Sequence, residues 1–170
     1  MKKTAIIILL ITAILCLVSV APAETFYSRQ IAFCNEYVTL RAKPSGSAKA
    51  IKQVEVGEVV MAAPYNSEFS YCCYDGKFGY IKSQYLSSNI QPWSEGTFYV
   101  TNCKEYISLR TMPMKDADVR ARIPVGARLD AVYYHDGAYN PDSFVYVKYN
   151  GQCGFALWRY IAPVYYPGAQ

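Results

Sequence analysis

The sequence predicts an all-β protein in which two tandem copies of one small barrel follow an apolar leader. Three observations support this fold class: the first residues form a leader, the rest of the chain repeats itself, and the repeated segments are short β-rich runs that end in turn dipeptides. After residue 23 we find no amphipathic helix longer than a turn or two, which argues against a helical or α/β fold.

The leader has the three parts of a secretory signal peptide. Lys2 and Lys3 are followed by an apolar run over residues 5–20 and by the small-x-small triplet at residues 21–23. We therefore expect an exported protein: secreted, associated with the cell wall, or periplasmic. An uncleaved membrane anchor is the alternative, although the run is at the short end of the ~17–25 residues of a spanning helix. Lipidation at Cys16 is disfavoured because Leu15, not a small residue, precedes it.

The chain after the leader consists of two related segments. The stretches that begin at Cys34 and Cys103 share Cys, Glu, Tyr, Leu, Arg and Pro at a constant offset of 69 residues. Toward the end of each copy the offset is 75, so the second copy carries six additional residues. They fall in residues 133–142, whose Gly, Asn, Pro and Asp predict a loop. The predicted organisation is a signal peptide at 1–23, a first barrel at 27–87, a linker at 88–96, a second barrel at 97–164 and a tail at 165–170.

Each copy contains one strongly predicted hairpin. Asp75-Gly76 and Asn150-Gly151 are typical of two-residue type I′ turns, because both central residues of that turn need positive φ. The flanking strands are predicted at 69–74 with 77–81 and at 144–149 with 152–156. Further strands are predicted at 37–40, 57–61, 106–109 and 128–132, with short helical turns at 83–85 and 158–160.

Both copies resemble the bacterial SH3 domain. The family pattern runs from Leu-x-x-x-Pro through an apolar-x-x-Gly turn and an aromatic-x-x-Val strand to an Asn/Asp-Gly turn, Gly-aromatic and a terminal Tyr-Leu. In the first copy it falls on Leu40, Pro44, Val54, Gly57, Phe69, Cys72, Asp75, Gly76, Gly79, Tyr80, Tyr85 and Leu86. In the second it falls on Leu109, Pro113, Ile123, Gly126, Phe144, Val147, Asn150, Gly151, Gly154, Phe155, Tyr160 and Ile161. The resemblance covers nearly all of the chain after residue 23 and implies two SH3-like barrels.

Export permits disulfide bonds, and five cysteines follow the leader. Cys34 and Cys103 are equivalent by the repeat, so we expect their partners to be equivalent too. The hairpin register pairs Cys73 with the position that Cys153 occupies in the second copy, and directly paired residues lie on one face. The sequence therefore predicts the bridges Cys34–Cys73 and Cys103–Cys153.

Cys72 is one residue out of phase with Cys73, and we expect it to point into the core as a free, inert thiol. Two alternatives stay open. One is a bridge between Cys34 and Cys72 that leaves Cys73 free and exposed. The other is an intermolecular disulfide through the odd cysteine.

The sequence predicts no catalytic residue, no metal site and no cofactor. Cys-x2-Cys spacing and Gly-rich phosphate loops are absent from the sequence. Without Lys2 and Lys3, 15 basic residues face 13 acidic ones and form no basic cluster, which argues against a nucleic-acid partner. After leader cleavage we expect no membrane span.

Aromatic residues in the loops are the predicted ligand contacts, because SH3-type barrels bind extended or glycan-linked peptides in shallow aromatic grooves. Rigid rings provide contact area at low cost in conformational entropy. The predicted ligand-binding residues are Tyr133, Tyr134, His135, Asp136 and Tyr139 in the second copy and Tyr65 and Glu68 in the first. A purely structural role, covering the open end of the barrel, is the alternative for these tyrosines.

The predicted function is a non-enzymatic, exported tandem binding module of the cell envelope. Its expected partner is cell-wall peptide (peptidoglycan) or an envelope protein. One alternative is a structural or accessory interaction protein without a wall ligand. Another is a cell-wall hydrolase that uses Cys72 or Cys73 with His135, although His135 has no counterpart in the first copy and a catalytic domain needs additional chain.

Overall fold

The structure, a computed structural model, describes residues 24–133 and 140–163. This part of the chain is all-β, as the sequence predicts, with fifteen strands and two single 3-10 turns. The predicted signal peptide at 1–23 and tail at 165–170 lie outside the described residues. Within the described ranges, no helix has the length and apolar character needed to cross a membrane.

The first seven strands form the N-terminal repeat (residues 27–87). They are β1 (Tyr27–Ile31), β2 (Tyr37–Arg41), β3 (Ala50–Glu55), β4 (Val59–Pro64), β5 (Phe69–Tyr74), β6 (Lys77–Lys82) and β7 (Leu86–Ser87), with a 3-10 turn at Ser83–Tyr85. The remaining eight form the C-terminal repeat (residues 92–163). They are β8 (Pro92–Glu95), β9 (Phe98–Val100), β10 (Tyr106–Arg110), β11 (Val119–Pro124), β12 (Ala131–Tyr133), β13 (Phe144–Tyr149), β14 (Gln152–Leu157) and β15 (Ile161–Pro163), with a 3-10 turn at Trp158–Tyr160.

The N-terminal repeat is one antiparallel sheet in the order β3-β2-β6-β5-β4-β1-β7. Alternate residues of its strands point to one side, where they meet in a single core, so the sheet curls around that core. The core consists of Ile31, Val38, Leu40, Val54, Val60, Ala62, Cys72, Tyr74 and Ile81. Nothing but the sheet itself covers these side chains, which explains why every strand except β7 contributes at least one of them.

The C-terminal repeat has the same arrangement in two pieces. A sheet in the order β11-β10-β14-β13-β12-β8 is accompanied by the separate pair β15-β9. The core is formed by Phe98, Val100, Ile107, Leu109, Ile123, Leu129, Val132, Val145, Val147, Ala156 and Ile161. Pairing of Ile161 with Val100 repeats the pairing of Leu86 with Ile31, so the closing strands are equivalent in the two repeats.

The hairpin predictions are confirmed. Asp75 and Gly76 have φ values of 49° and 71°, and Asn150 and Gly151 have 47° and 74°, as a type I′ turn requires. The predicted registers also hold: Cys73 pairs with Phe78, and Lys148 pairs with Cys153. Both predicted helical turns are present as 3-10 turns.

The backbone outside the hairpins also repeats. Phe33 and its counterpart Asn102 have φ values of 59° and 55°. Gly57 and Gly126 both have positive φ, and the N–H of each donates a 2.8 Å hydrogen bond to the carbonyl of Ile31 or Val100, respectively. The two segments therefore fold alike, with one difference in strand continuity.

That difference is a break in the first strand of the C-terminal repeat. Glu95 pairs with Ala131, whereas Tyr99 bridges Arg128, so one additional residue lies on the β8–β9 side. Gly96 lies between them with φ of 61°, which is typical of a β-bulge. The prediction that 88–96 is only a linker is therefore wrong at β8, and the strand predicted at 128–132 begins only at residue 131.

Strand pairing does not close either sheet. Within the described residues no pairing links β3 to β7 or β11 to β8. The structure thus establishes an all-β fold of antiparallel sheets, while SH3-like barrels remain the prediction that the resemblance supports.

The two repeats pack directly against each other through an apolar cluster, here called the inter-repeat interface. The N-terminal repeat contributes the outward-facing side chains of β4 and β5, and the C-terminal repeat contributes side chains of β12, β13 and β14. The members are Val59, Met61 and Cys73 from the first and Ala131, Tyr133, Phe144, Tyr146 and Phe155 from the second. Burial of these side chains holds the repeats together.

A buried glutamine adds polar contacts between the repeats and the connecting segment. The Gln30 Nε2 donates to the carbonyls of Gly57 at 2.8 Å and Gln91 at 3.0 Å. Its Oε1 accepts a 3.0 Å hydrogen bond from the N–H of Gln91. Because both ends of the amide are used, the buried side chain is satisfied and fixes the connecting segment against β1.

Candidate functional site

Each repeat has a surface pocket built from equivalent positions. The N-terminal pocket has a volume of about 360 Å³ and lies between β2, the end of β6 and the 3-10 turn. Its lining residues are Cys34, Tyr37, Val38, Thr39, Arg41, Gly46, Phe69, Ile81, Lys82 and Tyr85. The repeat unit thus brings together side chains from widely separated parts of its sequence.

The C-terminal pocket has a volume of about 450 Å³. It is lined by Asn102, Cys103, Lys104, Tyr106, Ile107, Ser108, Arg110, Phe144, Leu157 and Tyr160. Eight of these ten are the counterparts of N-terminal pocket residues at an offset of 69 or 75. The same wall is therefore constructed twice, with Cys, Tyr, Arg, Phe and a second Tyr kept in place.

The shared arginine is held in the same way in both pockets. Arg41 Nη1 donates to the carbonyl of Ala48 at 2.7 Å, and Arg110 Nη1 donates to the carbonyl of Ala117 at 2.7 Å. These bonds link each guanidinium to the loop that follows its own strand. A guanidinium has five N–H donors, so each arginine retains others that suit a carboxylate.

Aromatic side chains form the rim. Tyr37 and Tyr106 are 43% and 40% exposed, although each is a large ring on a strand. Tyr85 and Tyr160, from the 3-10 turns, are half-buried on the other side. In the C-terminal pocket the guanidinium carbon of Arg122 lies 4.5 Å from the centre of the Tyr106 ring, a cation–π geometry.

Both pockets are electropositive. Arg41 and Lys82 line the first, Lys104 and Arg110 line the second, and no carboxylate is among the lining residues of either. Lys82 is partly neutralised, because its Nζ lies 3.1 Å from an oxygen of Glu68. A basic, aromatic pocket is suited to a ligand that carries a carboxylate.

A thiol lies in each pocket wall. Cys34 and Cys103 are half-buried and free. Burial, followed by the negative charge of Glu55, raises the pKa of Cys34. The neutral thiol is therefore favoured there, and the thiolate is the nucleophilic form of cysteine.

The two predicted disulfides are not formed in the structure, since all five described cysteines are free thiols. Cys34 packs against the N-terminal core, which contains Cys72, whereas Cys73 lies on the opposite side of the sheet in the inter-repeat interface. Alternate residues of a strand face opposite sides. The register argument placed Cys73 correctly along the strand but did not place Cys34 on the same face.

The C-terminal pair is separated in the same manner. Cys103 packs against the C-terminal core, and Cys153 packs against the inter-repeat interface.

Two buried cysteines carry strongly shifted pKa values. Burial raises the pKa of Cys72, in the N-terminal core, to about 12. Burial also raises the pKa of Cys73 to about 11. Both side chains are fully buried and stay protonated at neutral pH.

The predicted ligand residues are scattered. Tyr65 is exposed and makes an edge contact with the ring of Tyr80, with centroids 4.8 Å apart. Glu68 lies beside the N-terminal pocket through its ion pair with Lys82. Tyr133 is only 9% exposed and packs in the inter-repeat interface, so the expectation of an exposed ring there is not met. Tyr134, His135, Asp136 and Tyr139 lie outside the described residues.

No cluster of three or more His, Cys, Asp or Glu side chains suited to a metal ion is found within residues 24–133 and 140–163.

Sequence reasoning missed the duplicated pocket, although one signal pointed to it. The segments that match best between the copies, from Cys34 to Arg41 and from Cys103 to Arg110, provide most of each pocket wall. The identity of exposed positions such as Tyr37 and Tyr106 is not required by the core.

Comparison with known proteins found two solved structures of limited similarity. The structure titled NlpC1 from Trichomonas vaginalis has a TM-score of 0.38 and 14% identity over 83% of this chain and 47% of its own. The structure titled NlpC2 from Trichomonas vaginalis has a TM-score of 0.38 and 14% identity over 82% and 49%. This chain therefore spans about half the length of either. Neither a family model nor a curated protein matches it.

Proposed function

We propose that this chain is a non-enzymatic binding module of the cell envelope that holds an extended, carboxylate-bearing peptide in each of its two pockets. The observation that carries the proposal is the duplication of the pocket, with a rim tyrosine, a held arginine, a thiol and a second tyrosine at equivalent positions. Cell-wall peptide is the ligand we favour, because the resemblance to bacterial SH3 domains implies it and because its stems carry free carboxylates.

Several features favour binding over hydrolysis. Burial raises the pKa of Cys34, Cys72 and Cys73, which keeps these thiols protonated. Cys72 and Cys73 are also fully buried and offer no access to a substrate. The pockets are shallow surface sites with aromatic rims, as in modules that recognise extended peptides.

Two weak sites on one chain strengthen binding to a polymer. Once one pocket is occupied, a second stem on the same polymer meets the other pocket at high effective concentration. We therefore expect modest affinity for an isolated stem peptide and much tighter retention on intact peptidoglycan.

Calorimetric titration with soluble peptidoglycan fragments tests the proposal. We expect two sites in the wild type, one after Tyr37→Ala or Tyr106→Ala, and none after both changes. Tyr65→Ala is the matched control, because Tyr65 is similarly exposed but lines neither pocket. Unchanged binding by the double variant contradicts the assignment to the pockets, and an absence of binding by the wild type contradicts the ligand class.

A further inference from the structure

A continuous row of aromatic rings runs across the outer face of the N-terminal repeat. We call it the aromatic strip; its members are Phe26, Tyr65, Tyr71, Phe78 and Tyr80. The ring of Tyr71 lies 5.7 Å from that of Phe78 and 5.2 Å from that of Tyr80, and Tyr80 in turn contacts Tyr65. Phe26 completes the row at 6.1 Å from Tyr71. Tyr65 and Phe78 are 52% and 36% exposed.

The equivalent face of the C-terminal repeat is covered. Tyr71 corresponds to Tyr146 and Tyr80 to Phe155, so both aromatic positions are kept. In the C-terminal repeat, however, these rings are buried in the inter-repeat interface against the outer face of β4 and β5. The N-terminal repeat thus presents, partly exposed, a face that its own second copy uses for docking.

The strip is continuous with that interface. Phe26 contacts two strip rings and also packs against the inter-repeat interface. Cys73, a member of the interface, pairs directly with Phe78 of the strip. Extended burial across this boundary requires no new kind of contact.

The structure also indicates what would cover the strip. In the N-terminal repeat the docking face includes Val59 and Cys73. Strand pairing places Lys148 at the position of Cys73, and the bridge of Arg128 with Tyr99 places it at the position of Val59. Arg128 is exposed and Lys148 is half-buried. The corresponding face of the C-terminal repeat therefore offers two cations, which are attracted to the faces of aromatic rings.

We propose that the aromatic strip of one molecule docks on the Arg128 and Lys148 face of a second copy of this chain. The contact is the inter-repeat arrangement repeated between molecules, with cation–π contacts in place of part of the apolar packing. It joins two different surfaces, so the association is head-to-tail and extends to longer assemblies or closes into a ring.

Sedimentation velocity between about 5 and about 500 µM protein tests this proposal, since weak self-association of this kind falls in the micromolar range. The mean mass of the wild type is expected to rise with concentration. Phe78→Lys and Lys148→Glu should each reduce association at least tenfold, and Tyr65→Ser should weaken it without touching the sheet. Phe33→Ser removes a more exposed aromatic side chain outside the strip and should change nothing.

Mixing the two blocked variants provides the decisive measurement. Phe78→Lys retains an intact cationic face and Lys148→Glu retains an intact strip, so an equimolar mixture should form one-to-one dimers although neither variant associates alone. Circular dichroism confirms that each variant is folded, and Lys148→Gln replaces Lys148→Glu if it is not. A wild type that stays monomeric overturns the proposal, as does a Lys148→Glu variant that still associates, since that result means strip-to-strip pairing. The pocket variants Tyr37→Ala and Tyr106→Ala should leave self-association intact.

Discussion

The two repeats share their interior and their pocket but differ on their outer faces. Core positions, turn glycines and the held arginine recur at constant offsets. On the outer side, the C-terminal repeat buries Tyr133 and Tyr146 against its neighbour, whereas the N-terminal repeat leaves its corresponding face partly exposed. The comparison shows that divergence has accumulated where packing is with another repeat, and that the pocket has resisted it.

A second difference concerns the first strand. In the N-terminal repeat β1 pairs without interruption with β4 over four residues. In the C-terminal repeat the same ribbon is divided by the bulge at Gly96, which leaves β9 paired with β15 and β8 paired with β12. A bulge bends and twists a strand locally. The additional residue thus lets β8 continue directly from the segment that Gln30 holds.

The largest predicted effect tests whether the repeats are equivalent in their interiors. A Cβ at Gly79 would lie 2.6 Å from the carbonyl oxygen of Arg41, and one at Gly154 would lie 2.6 Å from that of Arg110. Because backbone must move in either case, Gly79→Ala and Gly154→Ala should each lower the free energy of unfolding by about 3 kcal/mol. Urea denaturation measures this. Ala at Gly46, where no atom lies within 4 Å, is the control and should be nearly neutral.

The next prediction uses a core position that differs between the repeats. Cys72 is replaced by Val147 in the C-terminal core. Since the pKa of Cys72 is raised from 9.0 to about 12 in the folded state, its stabilising contribution is complete below pH 9 and is lost as the pH rises toward 12. Between pH 7 and pH 10 the wild type should therefore lose about 1.4 kcal/mol more than Cys72→Val.

Urea titrations in reducing buffer at the two pH values measure this difference. At pH 7 the two proteins should agree within about 1.5 kcal/mol, because the replacement is similar in size. Val147→Ala removes core volume without a titrating group and should be equally destabilising at both pH values. A parallel alkaline loss in wild type and Cys72→Val would mean that the Cys72 thiol does not control it.

The smallest effect concerns a pair of strained positions. Phe33 and Asn102 both adopt positive φ, which costs a bulky side chain about 1 kcal/mol but is tolerated by Asn. Phe33 is 75% exposed, so little packing is lost on its removal. Phe33→Asn should stabilise the protein by about 1 kcal/mol, measured by thermal or urea unfolding. Asn102→Phe is the reciprocal change and should destabilise by at least as much, because it also removes the hydrogen bond from Asn102 to the carbonyl of Arg159.

The hairpins were predictable because their turns are chemically demanding. Asp75-Gly76 and Asn150-Gly151 require one turn type, and that turn dictates the register of the strands on either side. The all-β class followed from the same short runs. The strand at 92–95 was not predictable, since its Pro-Trp-Ser-Glu sequence has no alternating pattern and its pairing depends on a bulge.

The pocket and the cysteine faces lay beyond sequence reasoning for a different reason. The pocket joins side chains such as Tyr37, Arg41 and Tyr85, and only the curl of the sheet brings them together. The position of Cys34 depends on how the chain turns after β1 at Phe33, where a positive φ redirects it toward the core side. Tyr133 was expected at the surface because nothing in one repeat reveals that the other covers it.

The hydrogen bonds of Gln30 have a consequence for the two pockets. Its amide binds the connecting segment on both sides, and the apolar contact beside it joins the sheets, so the pockets move as parts of one body. A pair of sites at a fixed separation acts as a caliper: it favours polymers whose binding groups recur at that distance and gains nothing from those that do not. The spacing of groups along a ligand is thereby selected by a single buried side chain far from either pocket.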